Sequence, residues 1–337
     1  MNTNINALGP VLAAPKNIVI VPHKNPDGDA IGASLALYHY VTLMGHNASV
    51  IAPNEYPDFL KWMPGNEHIL KFGTKRKTAK ALIDEADLIF TLDFNSLDRV
   101  EDMKPVLEDS KAVFAMIDHH EQPGDYATYM YSDPKMGSTC EMIYHFLDSL
   151  GHREKINKDI ATCIYTGIMT DSGSFRFPST TSITHKVVAD LIDKGAENAK
   201  IHSAVYDTNG ISRLHLLGCA LKNLVLLEEY NTVYITLSRK ELEQFGFKKG
   251  DTEGFVNYGL SLKDVRFSVI FIEDTQEDFI KLSLRSVGDF SVNKLARKHF
   301  NGGGHINAAG GRSDLPMPKT VEKFKTLLAD YKEDLTR

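Results

Sequence analysis

No stretch of this chain approaches the roughly 20 consecutive apolar residues that a membrane-spanning helix needs. The start, Met1–Lys16, has one mildly apolar segment, Ala7–Pro15, and lacks the basic flank and long apolar core of a signal peptide. The cytoplasm is the expected compartment and no membrane partner is expected. Cysteine is scarce: Cys140, Cys163 and Cys219 are odd in number, widely spaced and set in segments of helical pattern. Buried reduced thiols are therefore expected, with no disulfide framework and no zinc–thiolate site. There is no excess of positive charge either, with 38 Lys and Arg against 44 Asp and Glu and a net charge of −6. That balance excludes the broad basic face of a binder of long DNA or RNA, whose affinity rests on phosphate contacts. It leaves room for a small pocket taking a short anionic ligand, where bound metal ions can supply the positive charge. Internal repeats and low-complexity tracts are absent.

What is there reads as an ordinary globular protein, 42% apolar and 24% charged. Its 337 residues are long for one core and comfortable for two domains. Asn17–Pro22 is a short β-branched run that predicts a buried strand, followed by a polar turn, His23–Gly28. Ala30–Met44 has helical spacing and ends at Gly45, a C-cap residue. Further strands are predicted at Ala48–Ala52, Asp87–Leu92 and Ala112–Ile117. Strands alternating with helices predict an α/β fold with a parallel sheet covered on both faces. Ser138-Thr-Cys-Glu141 has the form of a capping box opening a helix. Helical patterns follow at Asp159–Met169, Ile183–Lys194 and Leu214–Leu227, the last as a connector. Beyond Asn231, strands at Thr232–Leu237, Val265–Ile272 and Phe279–Leu284 and a helix at Ser291–His299 predict a smaller α/β domain with a mixed sheet. A Gly-rich loop and a short C-terminal helix complete the chain.

The chemistry-bearing residues cluster at element ends. His23, Asp27 and Asp29 follow the first strand, Asp93 follows the third, Asp118-His119-His120 ends the fourth, and Asp171 follows an apolar helix. In an open parallel sheet, ligands bind beyond the carboxyl ends of the strands, so these residues would converge on one crevice. Crowded carboxylates repel one another, and divalent metal is the natural remedy. Four aspartates and two histidines without a thiolate fit Mn²⁺ first, with Mg²⁺, Fe²⁺, Zn²⁺ or Co²⁺ as alternatives. Two ions about 3.5–4 Å apart, bridged by a carboxylate, could activate a water and clamp phosphoryl oxygens. Singly these residues have plainer readings: Asp29 alone is a helix cap and His119 alone a surface residue.

His23-Lys-Asn-Pro-Asp-Gly-Asp-Ala-Ile-Gly32, Asp93, Asp118-His-His120 and Asp171-Ser-Gly173 resemble the successive motifs of the DHH phosphoesterases. Ser283-Leu-Arg-Ser286, Asn301-Gly-Gly-Gly-His305 and Ala308-Ala-Gly-Gly311 resemble the associated DHHA1-type substrate domain. The resemblance implies a DHH domain over 15–195, a helical linker over 196–228 and a substrate domain over 229–337. It implies His23, Asp27 and Asp93 on one metal ion, and Asp29, Asp93, His119 and Asp171 on the other, with Asp93 as bridge. His120 would stand beside the reacting phosphate as donor or proton carrier, and Asp118 would orient the histidine pair. In the second domain Arg285 offers a planar fork for phosphate, Gly302, Gly303 and Gly304 allow close backbone approach, and His305 adds a donor.

With no sensor or extra nucleic-acid module expected, the chain resembles the small stand-alone bacterial enzymes that degrade very short RNA and dephosphorylate 3′-phosphoadenosine 5′-phosphate (pAp). Expected partners are short RNA or nucleotides and, from the resemblance alone, a second copy in a homodimer. The alternatives are a phosphodiesterase of linear or cyclic dinucleotides and a non-catalytic nucleotide sensor. Other residues carry plainer expectations: Lys75–Lys77 as a solvated loop, Trp62 packed beneath a loop, and His185, His202 and His215 in core or surface roles. Arg99 stands between two readings, reaching a phosphate or capping a helix end.

Overall fold

The computed structural model of the chain describes residues 2–337. It divides into two compact units, one ending at Thr208 and the other spanning Asn209–Arg337. The strands of the first are β1 (Asn2–Thr3), β2 (Asn17–Pro22), β3 (Asn47–Ala52), β4 (Ile69–Lys71), β5 (Leu88–Leu92), β6 (Val113–Asp118) and β7 (Tyr129–Ser132). Their order in the sheet is β1-β7-β6-β5-β2-β3-β4, all neighbours parallel except the short edge pair β1–β7. The helices are α1 (Leu8–Val11), α2 (Gly28–Leu43), α3 (Phe72–Asp84), α4 (Lys104–Glu108), α5 (Thr139–Ser149), α6 (Lys158–Asp171), α7 (Ser182–Asp193) and α8 (Asn198–Tyr206).

The central strands are apolar without alternation because both of their faces are covered. Ile18 and Ile20 of β2 pack with α2, α5 and α6, whereas Val19 and Val21 face Phe72, Ala79 and Ile83 of α3. The chain moves from β2 outward to β3 and β4, then returns to lay β5 on the other side of β2. That reversal leaves a crevice beyond the carboxyl ends of β2 and β5, the place where such sheets bind ligands.

The second unit has α9 (Ile211–Lys222), β8 (Val225–Leu227), β9 (Thr232–Leu237), α10 (Arg239–Gln244), β10 (Phe267–Glu273), β11 (Ile280–Ser286), α11 (Val292–His299), β12 (Gly303–Gly304), β13 (Ala308–Ser313), α12 (Met317–Leu328) and α13 (Lys332–Thr336). Its mixed sheet runs β12-β13-β11-β10-β9-β8, and only β9–β10 is parallel. Phe267, Val269 and Phe271 pack beneath α11 and α12, and Ile270 and Ile272 pack with α9 and α10 on the other face.

Several local expectations are revised. Leu214–Leu227 is not one helix: α9 stops at Lys222, and Val225–Leu227 becomes the edge strand β8. Asn223 supplies the stop, its amide donating to Thr236 O at 2.9 Å and to Glu241 Oε1 at 2.8 Å. Lys75–Lys77 are exposed as expected but lie on α3, which is kinked at Lys75. Only half of the capping box forms: Ser138 accepts from Glu141 N, while the Glu141 carboxylate turns away to accept from Thr184 Oγ1. Cys140 and Cys163 are buried thiols, and Cys219 is partly exposed. Strands β1, β4 and β7 were too short or too mixed in pattern to be legible.

Glycines set the closest helix crossing. A Cβ on Gly32 of α2 would lie 2.6 Å from Cys163 O, a backbone atom of α6, and one on Gly28 would lie 2.4 Å from Thr170 Oγ1. The same contact brings Asp29, at the start of α2, toward Asp171, at the end of α6. Gly32→Ala is expected to lower stability by about 1–3 kcal/mol through overpacking. Gly218→Ala, in α9 with nothing within 4 Å of the added methyl, is expected to raise stability by up to about 1 kcal/mol. Urea titrations of the two variants should shift in opposite directions.

Candidate metal centre

Each site residue is delivered by the end of an element. His23 leaves β2, Asp27 is the N-cap of α2, Asp29 lies in its first turn, Asp93 follows β5, Asp118 ends β6, and Asp171 ends α6. The structure brings these residues together with His119 and His120. The ligand atoms of His23, Asp27 and Asp93 lie within 4.8 Å of one another, as do those of Asp29, His119 and Asp171. The cap expected at Asp29 is Asp27, whose Oδ1 accepts from Asp29 N at 3.0 Å and Ala30 N at 3.1 Å.

Asp93 joins the two groups. Its Oδ2 lies 3.4 Å from His23 Nε2, and its Oδ1 lies 3.4 Å from His119 Nε2. Its backbone is left-handed, with φ +65°, a conformation that a non-glycine residue adopts only when its surroundings impose it. Backbone carbonyls orient both histidines. His23 Nδ1 is 2.8 Å from Lys24 O, and His119 Nδ1 is 3.1 Å from Met136 O. A carbonyl can only accept, so each Nδ1 carries a proton, and Nε2, which faces the carboxylates, is the nitrogen that could bind a metal on losing its own proton. Asp118 holds one member of the histidine pair, its Oδ1 2.7 Å from His120 Nδ1. The orientation of His119 falls to Met136 instead.

The electrostatics are those of a cluster short of positive charge. Asp29 and Asp93 make ion-pair contacts only with histidines among the described residues. Burial, together with the charges of Asp93 and Asp171, pushes the Asp29 carboxyl well above the usual carboxylate range. Burial acts against His119 becoming charged, yet the hydrogen bond to Asp93 and the surrounding carboxylates raise its pKa well above the ordinary value. Asp93, despite burial, is held low by His119 and His23. These shifts mark an excess of negative charge that divalent cations would neutralise. Carboxylate and imidazole donors, imidazole Nε2 atoms turned toward the carboxylates and a carboxylate shared between two groups fit a pair of such ions.

The role of α5 is not legible from its local pattern. Its first N–H groups are orphan donors, and two of them are spent on one carboxylate: Thr139 N donates to Asp29 Oδ2 at 2.6 Å and Cys140 N to Asp29 Oδ1 at 2.8 Å. Thr139 Oγ1 donates to Asp93 Oδ1 at 3.0 Å. The Ser138–Glu141 pattern marks a helix start but not its target, which is about 110 residues away in sequence.

In the second unit, Arg285 is half-buried on β11, with Nη1 donating to Leu284 O at 3.0 Å. The glycine run is not a plain loop, because Gly303 and Gly304 form β12 against β13. Gly302 N already donates to Ala296 O, so it does not face outward for an anion. A Cβ on Gly302 would lie 2.0 Å from Gly310 O, and one on Gly304 2.4 Å from Ala308 O, so these glycines permit strand packing. His305 follows in a tight turn, with its N–H donating to Ala308 O at 2.7 Å.

Thr139→Val keeps the backbone donors and removes only the hydroxyl on Asp93. Loss of a charge-assisted hydrogen bond near the ligand set is expected to weaken Mn²⁺ binding by roughly 10-fold. Thr139→Ser should restore most of it, with calorimetric titration as the check.

Residues 17–168 match the DHH family, N-terminal domain, and residues 230–336 match the DHHA1 domain. The bifunctional oligoribonuclease and PAP phosphatase NrnA of Thermus thermophilus is 30% identical over 321 residues, covering 95% of this chain and 90% of the relative. The Bacillus subtilis protein of the same name is 29% identical over 303 residues, covering 87% and 88%. A crystal structure of an exopolyphosphatase-related protein from Bacteroides fragilis has a TM-score of 0.94 at 42% identity, covering 98% of this chain and 97% of that one. With His23, Asp27, Asp29, Asp93 and His119 inside the first matched segment and Asp171 just beyond its end, the chain belongs to the DHH family, as a DHH domain followed by a DHHA1 domain.

Proposed function

We propose that the protein is a metal-dependent phosphoesterase that hydrolyses short oligoribonucleotides of about two to five residues, a length suited to a pocket-sized cleft, and releases mononucleotides. We include pAp dephosphorylation in the same site. The observation that carries the phosphoesterase chemistry is the division of Asp93, one oxygen toward His23 and the other toward His119. The choice of substrate is supported by the two relatives named as oligoribonucleases and PAP phosphatases.

His23, Asp27 and Asp93 would hold one divalent ion, Mn²⁺ as first choice, and Asp29, Asp93, His119 and Asp171 the other. The ions would supply Lewis-acid polarisation of the phosphate and a water nucleophile at neutral pH. The protein's own groups have separate tasks. Asp118 fixes the ring of His120 through Nδ1, so Nε2 is the atom placed to pass a proton to the leaving oxygen. Arg285, Gly303 and His305 are assigned to the substrate's terminal phosphate, Arg285 through the part of its fork that Leu284 O does not use.

The test incubates Mn²⁺-loaded protein, with a chelator control, with a 5′-phosphorylated dinucleotide, a 5-mer, a 24-mer RNA, a cyclic dinucleotide and pAp. Metal-dependent release of mononucleotide from the dinucleotide and 5-mer, with the 24-mer spared, is expected. Preference for the cyclic substrate would assign the protein to dinucleotide signal turnover, and binding without turnover to sensing. Arg285→Ala is expected to raise KM by about 10-fold or more, the loss of a bidentate charge-assisted contact. An unchanged KM would remove Arg285 from the phosphate grip.

A further inference from the structure

Arg99 is left without a partner in a place where partners are plentiful. It lies in the 3₁₀ segment Leu97–Met103 that follows β5, and it is half-buried. Among the described residues its guanidinium meets no carboxylate, no hydrogen-bond acceptor and no aromatic ring. Two neighbouring carboxylates are engaged elsewhere, Asp98 with Lys104 and Glu101 with Lys24, and Asp102 is exposed. Asp93 faces the histidines.

The root of Arg99 is nevertheless fixed beside the metal-compatible cluster. Lys24 N, one residue past His23, donates to Arg99 O at 2.8 Å, and Arg99 N donates to Ser96 O at 3.0 Å. The Lys24–Glu101 ion pair fastens the same loop a second time, with Glu101 in the left-handed region at φ +41°. His23 feels the result. Burial and the Asp93 and Asp27 carboxylates act on it most strongly, and Arg99 is the cation that acts against its protonation. A partly desolvated guanidinium without an acceptor is costly, and its five donors match the oxygens of a carboxylate or phosphate. With His23 within reach of its charge, an oxyanion in the crevice at the carboxyl ends of β2 and β5 would meet that need.

We propose that Arg99 is a substrate-binding residue whose fork takes the non-bridging oxygens of a nucleotide phosphate in the crevice of the first unit. The assignment rests on the phosphoesterase reading and adds a phosphate contact that the second unit does not supply. It also decides between the two sequence expectations for Arg99, since the structure shows no helix end capped by its side chain.

The test uses the full chain saturated with Mn²⁺, in wild-type form and as Arg99→Gln and Arg99→Lys. Calorimetry reads the affinity for Mn²⁺ and then for AMP, and steady-state assays give KM and kcat for the dinucleotide. For Arg99→Gln, AMP affinity is expected to fall and KM to rise by about 10-fold or more, the loss of a charge-assisted fork, with Mn²⁺ affinity unchanged within a factor of about two. Arg99→Lys, which keeps the charge and loses the fork, should fall between the two and guards against a misfolded Gln variant. AMP affinity and KM within about twofold of wild type in both variants would overturn the assignment. So would a parallel loss of Mn²⁺ affinity, which would make Arg99 a support for His23. Wild-type protein that binds AMP in an Arg99-dependent way but cleaves nothing would count against the hydrolase reading and leave the Arg99 contact standing.

Discussion

Crowded carboxylates repel one another, and this fold gathers three of them around one histidine, the buried Asp29 and Asp93 and the half-buried Asp171. Everything else about the first unit follows from holding that arrangement together. Asp93 sits at its centre with a left-handed backbone, and its two oxygens are directed to opposite sides. Such a conformation survives only if neighbouring elements determine it. Asp93 N is fixed by donating to Ile117 O, so the bend leaving β5 is tied to the strand that delivers Asp118 and His119.

The supports come from far along the chain and are mostly backbone. The N-terminus of α5 grips Asp29 with two N–H groups, and the Thr139 hydroxyl reaches Asp93. Carbonyls of Lys24 and Met136 set which nitrogen of His23 and of His119 points inward. Glycines at 28 and 32 let α2 and α6 approach closely enough for Asp29 and Asp171 to share one histidine. Each support acts on geometry or charge without itself being a metal donor of the expected kind. Ligand placement and fold stability are thus coupled at the same contacts.

What the sequence made legible was what period and residue type encode. The β-branched runs Asn17–Pro22 and Leu88–Leu92, the change to a mixed sheet after Asn231 and the set of Asp and His residues at element ends could all be read. What stayed hidden depends on long-range contact. Nothing local at Thr139 reports that its neighbours are Asp29 and Asp93, and nothing at Gly302 reports that Gly310 O would collide with a side chain. The glycine run invited a phosphate-loop reading because close approach is the same requirement whether the neighbour is a ligand or a strand. Val225–Leu227 forms a strand where the pattern predicts helix, because a three-residue apolar run carries no period of its own.

The most direct test of the shared Asp93 is a crystal of the protein grown with Mn²⁺ and measured at the manganese absorption edge. The account predicts two anomalous peaks, one among His23, Asp27 and Asp93 and one among Asp29, Asp93, His119 and Asp171, with a different Asp93 oxygen on each. A single peak, or two peaks with Asp93 bound to only one, would contradict it.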